Sequence, residues 1–262
     1  MAKIIVVTSG KGGAGKTTVA CYLGAKLAER GKRTVVCDLD FGLNNLDVVM
    51  GLEGKAPFDI GDALAGRCRA SQAIIESDAV RNLFMMSSGH VFDARGITGQ
   101  NVKLLFEGLK RSFDYVLLDC PAGIDVGFHR AVSASDEALV VVTPSLASLR
   151  DADKVLTILR SYKLEKICAV VNLVRGDLMA SGETLTVEQI SSILKIKALG
   201  VISQDDAILL GKNCYLSPRT KAGKCFSRLA DNLISGKNKL PDLTREYFGI
   251  AGSIRRGLKK II

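Results

Sequence analysis

The sequence predicts an α/β fold in three layers, a mostly parallel twisted sheet flanked by helices on both faces. Three observations predict it. Short aliphatic runs alternate along the chain with longer stretches of helical period, the pattern of strand–helix–strand units. The runs are apolar almost from end to end, as strands buried on both faces must be. The hydrophobic content, 47% of 262 residues, is mostly aliphatic, with 5% aromatics and no tryptophan. That is enough apolar surface for a core without disulfides or structural metal. Strand–helix alternation implies right-handed crossovers, so ligands are expected beyond the carboxyl ends of the strands.

The elements follow in order. Residues 3–9, which include Ile4-Ile5-Val6-Val7, read as the first strand, and 17–30 as the first helix, stopped by Gly31. Residues 33–38 read as the second strand, and 82–87 form a further candidate. Next come a helix at 102–112, strands at 115–120 and 138–144, a helix at 151–162 and a strand at 167–174. A helix at 186–195 opens on Thr186 and Gln189, spaced as a capping box. A strand at 199–203 and a helix at 226–234 complete the series. No repeat, linker or low-complexity stretch intervenes, which predicts one domain over residues 1–250 and a tail over 251–262. The opening apolar run is too short for a signal peptide or a membrane span, so a cytoplasmic protein is expected. The seven cysteines (Cys21, Cys37, Cys68, Cys120, Cys168, Cys214 and Cys225) are scattered and contain no Cys-x-x-Cys pair. They read as reduced thiols, and iron–sulfur chemistry, which needs clustered thiolates, is disfavoured.

The chemistry concentrates where the first strand meets the first helix. Gly10-Lys11-Gly12-Gly13-Ala14-Gly15-Lys16-Thr17-Thr18 satisfies G-x-x-x-x-G-K-[ST] in the strand–loop–helix setting that this motif requires. Its glycines allow backbone angles closed to other residues, and the successive N–H groups and helix N-terminus offer partial positive charge to phosphate oxygens. Lys16 is placed to neutralise the β- and γ-phosphates of ATP, and Thr17 to offer its hydroxyl to Mg²⁺. Two further strands end in acids. Asp38 and Asp40, two apart, are expected on one side of the second strand near the phosphate loop. Asp119, followed by Cys120-Pro121-Ala122-Gly123, ends another strand as a Walker B-like acid. The two histidines, His90 and His129, are isolated in sequence, and no Ser/His/Asp or Cys/His set is suggested.

Lys11, a second lysine at the start of the loop, makes the segment resemble the deviant Walker A ATPases, the family of MinD, ParA and nitrogenase iron protein. The resemblance runs nearly end to end, strongest in the first half and weakest between residues 53 and 99. It implies an ATP-dependent homodimer in which Lys11 reaches the partner's phosphates, and slow ATP hydrolysis accelerated by a partner protein. It also implies that Asp40 positions the attacking water, that Asp38 and Asp119 hold Mg²⁺ through its waters, and that Asn172 reads the adenine edge. The segment from Thr143-Pro144 to Asp153 resembles one associated with partner contacts. The implied partners are a MinC-like division inhibitor and a MinE-like regulator. Two departures stand out. Asn44 occupies a position where arginine is common, and Ser203-Gln204 replaces Pro-Glu.

Charge distinguishes among relatives. Residues 211–262 hold twelve Lys/Arg and three Asp/Glu, while the first 210 carry 24 of each. Such asymmetry points to an anionic partner. On a helical wheel Ile254, Leu258, Ile261 and Ile262 share one face and Arg255, Arg256, Lys259 and Lys260 the other. This pattern predicts an interfacial helix for anionic lipid, placing the protein at the inner face of the cell membrane as a peripheral, cycling ATPase. One short tail binds marginally, and two on a dimer gain avidity. A DNA-segregation role of the ParA kind and a flagellar-number regulator related to MinD remain open alternatives. DNA gives four terminal aliphatics no evident use.

Overall fold

A computed structural model of the chain describes residues 2–41, 45–89, 96–211, 213–249 and 252. The chain begins with β1 (Lys3–Thr8), α1 (Lys16–Ala28), β2 (Thr34–Asp38), α2 (Leu46–Met50) and α3 (Ile60–Leu64). An edge hairpin of β3 (Ile74–Glu76) and β4 (Leu83–Met86) follows, then α4 (Gly99–Leu109), β5 (Tyr115–Asp119), α5 (Val126–Ser133) and β6 (Glu137–Val142). The remainder comprises α6 (Leu146–Leu159), β7 (Lys166–Val174), α7 (Gly176–Ala180), α8 (Val187–Leu194), β8 (Ala198–Ser203), α9 (Asp206–Leu209) and α10 (Lys221–Ser235).

The strands form one sheet in the order β3-β4-β2-β5-β1-β6-β7-β8. All pairings are parallel except β3 with β4. The predicted fold class is therefore the observed one. Alternate residues of each strand serve opposite faces. Ile4, Val6, Val116, Leu118 and Val140 join one core with Phe106 of α4, Phe128 of α5, Leu156 of α6 and Ile190 of α8. Ile5, Val7, Val36, Leu117 and Val141 join the other with α1, Met50 of α2 and Phe226 of α10. The sheet is thus covered on both sides, which explains why its strands lack a polar face. The first helix after β1 crosses β5 to reach β2, and the connection after β5 crosses β1 to reach β6. The carboxyl ends of β5 and β1 therefore flank the point where the chain reverses direction across the sheet.

Several boundaries differ from expectation. Helix α6 begins at Leu146 rather than 151, because Ser145 caps it: its side chain accepts from the Ser148 N–H. Helix α10 begins at Lys221 rather than 226, capped by Thr220 on the Gly223 N–H. The short helices α2, α3, α5, α7 and α9 and the edge strand β3 carry too little periodicity to read from sequence. The seven cysteines are free, and all but Cys68 are buried. No helix among the described residues is long and apolar enough to cross a membrane.

Candidate active site

Three neighbouring strands, β2, β5 and β1, deliver the site at their carboxyl ends. In the parallel register Asp38 stands beside Asp119, and Asp119 beside Val7, two residues before the loop begins at Ser9. The two acids and the phosphate loop, far apart in sequence, are brought together by strand order alone. The loop is shaped locally. The Ser9 hydroxyl donates to the Lys11 carbonyl at 2.7 Å, and Gly13 and Gly15 adopt φ of 80° and 86°. Gly15 caps α1 without a side chain, so the N–H groups of the first helical turn are left for an anion. Lys16, 8% exposed, is the first residue of α1, while Lys11, Gly12 and Gly13 lie on the outer surface and Ala14 is buried.

The electrostatics favour a cation beside the loop. Asp38 is 1% exposed and accepts from the N–H groups of Asp40 (2.8 Å) and Leu46 (3.4 Å). Burial pushes its carboxyl up to about 6. Asp119, 4% exposed, is pushed up to about 7, first by burial and further by Asp38, against the opposing effects of the Thr17 hydroxyl and the Lys16 ammonium. Asp119 Oδ1 is buried without a hydrogen-bond partner. A desolvated carboxylate pair with an orphaned oxygen, next to a threonine hydroxyl and an anion loop, fits Mg²⁺ with most of its ligands supplied by phosphate and water. Among the described residues no cluster of three or more His, Cys, Asp and Glu is placed to enclose a metal by itself.

Asp40 does not share the strand with Asp38 as its spacing predicts. β2 ends at Asp38, so strand alternation does not orient Asp40. It sits in the following loop, half-buried, held by its own N–H on Asp38 and by the Ser88 hydroxyl on its carbonyl at 3.3 Å. Its carboxylate is thus carried by backbone contacts rather than by a strand face. Asn172, near the end of β7, is 2% exposed and donates its amide Nδ2 to the Ala14 carbonyl of the phosphate loop at 2.9 Å. His129, isolated in sequence, meets the Tyr162 hydroxyl at 2.6 Å through Nδ1. The tail residues Ile254, Arg255, Arg256, Leu258, Lys259, Lys260, Ile261 and Ile262 lie outside the described residues, as do Asn44 and His90.

Two features were invisible to sequence reasoning. Gly10 packs against the first turns of α6: a Cβ there would lie 2.4–2.5 Å from backbone and Cβ atoms of Asp151. The motif spacing marks the glycine, but the reason it must be glycine at this place is a helix over a hundred residues away. Beyond Asn172, a cleft of about 560 Å³ opens at the tips of β7 and β8, lined by Arg175, Gln204, Lys221, Cys225, Leu243 and Tyr247. The Ser203 hydroxyl, 5% exposed, lacks a partner at its edge. The wall formed by residues 241–247 has no sequence signal except Gly176, where a Cβ would come within 2.0 Å of the Leu243 carbonyl.

Comparison with known proteins places this geometry in a family. An AAA domain family model matches residues 2–169. The septum site-determining protein MinD of Bacillus subtilis is 36% identical over 261 residues, covering 97% of each chain. The MinC:MinD cell division protein complex of Aquifex aeolicus superposes with a TM-score of 0.83 at 34% identity, over 92% of this chain and 98% of that one. The MinD of Pyrococcus horikoshii complexed with Mg-ADP gives a TM-score of 0.80 at 27% identity, over 90% and 98%. With a phosphate loop bearing two lysines, two acids in register beside it and near end-to-end similarity to septum site-determining proteins, the chain belongs to the MinD family of ATPases.

Proposed function

We propose that this chain is a division-site-positioning ATPase that dimerises on ATP, attaches to the inner face of the cell membrane as a dimer, recruits a MinC-like division inhibitor, and is released by hydrolysis. The observation that carries the reading is the phosphate loop, with buried Lys16 and exposed Lys11 at its two ends and Asp38 and Asp119 in register beside it. Lys16 and the loop N–H groups hold the β- and γ-phosphates. Thr17, Asp38 and Asp119 would hold Mg²⁺, in part through water, and the ion would supply neutralisation of the phosphate charge. Asp40 orients the attacking water from its loop. Lys11, on the outer surface, is free to reach the phosphates of a second subunit. Asn172 borders the base. Hydrolysis is slow until a MinE-like regulator or another partner orders the loops around Asp40 and Gly123.

Support for the inhibitor comes from the Aquifex aeolicus MinC:MinD complex, and for the metal and nucleotide from the Mg-ADP complex of the Pyrococcus horikoshii protein. The basic, aliphatic tail favours lipid over the DNA of a ParA-like role, and the similarity to septum site-determining proteins favours division over flagellar number. The test is sedimentation with anionic liposomes and with DNA in parallel, under ATP and ADP. ATP-dependent pelleting with liposomes is expected, and its loss on deletion of residues 254–262 while nucleotide binding persists. Equal pelleting in ADP, or ATP-dependent binding to DNA instead of lipid, contradicts the proposal.

A further inference from the structure

We infer that Asn172 is a positioning residue for the phosphate loop, held in place by a bulge in β7, so that its amide supports phosphate binding whatever base the nucleotide carries. The inference rests on the ATPase reading above and assigns this residue a role beyond bordering the base. The register between β7 and β8 shifts between Val171 and Val174. Within that shift Leu173 has φ 56° and is 40% exposed. A leucine in the left-handed region is a strained conformation that the surrounding structure must enforce. The bulge re-aims the neighbouring side chain. Leu173 turns to solvent, and Asn172 turns inward, 2% exposed, with Nδ2 on the Ala14 carbonyl at 2.9 Å. Because that partner is a carbonyl, it also settles which end of the amide faces the loop.

The same amide sets the shape of the next residue. At Gly15, with φ 86°, a Cβ would lie 2.4 Å from Asn172 Nδ2. The amide thus occupies the space beside Gly15 and ties down Ala14, the two residues that precede Lys16 and the first turn of α1. The peptide groups between Gly13 and Lys16 are those whose N–H groups must converge on phosphate. Without the tether their orientation is selected only when ligand binds, and affinity falls for every nucleotide that uses them.

The test measures binding of Mg·ATP, Mg·GTP and Mg·ITP to the full chain and to Asn172→Ala and Asn172→Asp, with steady-state ATP hydrolysis alongside. One lost buried hydrogen bond corresponds to about a tenfold weakening, expected for all three bases in Asn172→Ala. It should appear in KM, with kcat changed less than about threefold, because the loop contacts phosphate in ground and transition states alike. Asn172→Asp, which keeps the shape but cannot donate, should not rescue. Leu173→Gly, which accepts the positive φ without strain, should retain wild-type affinity. A retained cooperative unfolding transition in the nucleotide-free variants separates the effect from misfolding. A loss confined to ATP makes Asn172 a reader of the base and overturns the inference while leaving the ATPase reading intact, as does the absence of any loss. A wild-type chain that binds none of the three removes both.

Discussion

Asp38 and Asp119 share one sheet edge, and their protonation decides whether a metal is welcome. Burial leads in raising both, to about 6 and about 7 from an ordinary value of 3.8. An acid raised by folding favours its protonated form in the native state. The metal-free protein therefore loses stability as pH rises from about 4 through 7. Mg²⁺ held by the deprotonated pair, as proposed above, would reverse the sign locally. The stabilisation gained from adding Mg²⁺ to the ADP complex should increase between about pH 5 and pH 8, read as a difference in thermal midpoint. In Asp119→Asn most of that pH dependence should vanish, and an undiminished slope would place the titrating group elsewhere. Gly10 offers a second test at this scale. Its absent Cβ leaves room for the Asp151 backbone, so Gly10→Ala should cost about 1–3 kcal/mol by overpacking and weaken nucleotide binding. Asp151→Ala should not rescue it, because the clash includes main-chain atoms. Recovery in the double variant would disprove the packing argument.

Among the elements, α1 carries the most. It follows the phosphate loop, packs on one face of the sheet beside α10, and buries Lys26 completely. A lysine with no exposure is costly unless its donors are satisfied. Here the ammonium reaches both oxygens of Glu29, at 2.7 and 2.9 Å, and the Leu216 carbonyl at 2.8 Å. That last bond ties the phosphate helix to the segment before α10, which also returns to α2 through Cys214 and the Val49 carbonyl at 3.5 Å. Lys26→Met keeps the volume, removes the charge and leaves the carbonyl unpaired. It should lower stability by about 1–3 kcal/mol, seen as a shifted denaturant midpoint at constant slope. An unshifted midpoint would mean that water replaces the ammonium. The capping serine of α6 is a milder case: Ser145→Ala should cost about 1 kcal/mol and loosen the seat of Gly10, with both effects visible in thermal unfolding with and without nucleotide.

At the scale of the whole molecule, the proposal depends on two copies acting together. Lys11 is exposed on the rim of its own loop, where it can serve a neighbour's phosphates as readily as its own. In ATP, Lys11→Ala should remain a monomer by light scattering while still binding nucleotide. A persistent dimer would refute the contact in trans. The proposed attachment to lipid would then rest on avidity between two weak tails. Added salt should weaken it, because the basic residues act through a screened surface potential.

Much of this protein is legible in its sequence because the signals are contiguous. A strand, a glycine-rich turn and a helix in direct succession can be recognised from Gly10 to Thr18, since each residue's constraint comes from its immediate neighbours. The aliphatic strands announce burial on both faces for the same local reason. The tertiary structure alone decided what depends on which strand lies beside which. It set Asp38 against Asp119, moved Asp40 off the strand and into a loop, packed Asp151 onto Gly10, and aimed Asn172 at Ala14 through a bulge. The reason is physical. Sheet order and register follow from how all the helices cover both faces at once, and no stretch of sequence holds that sum.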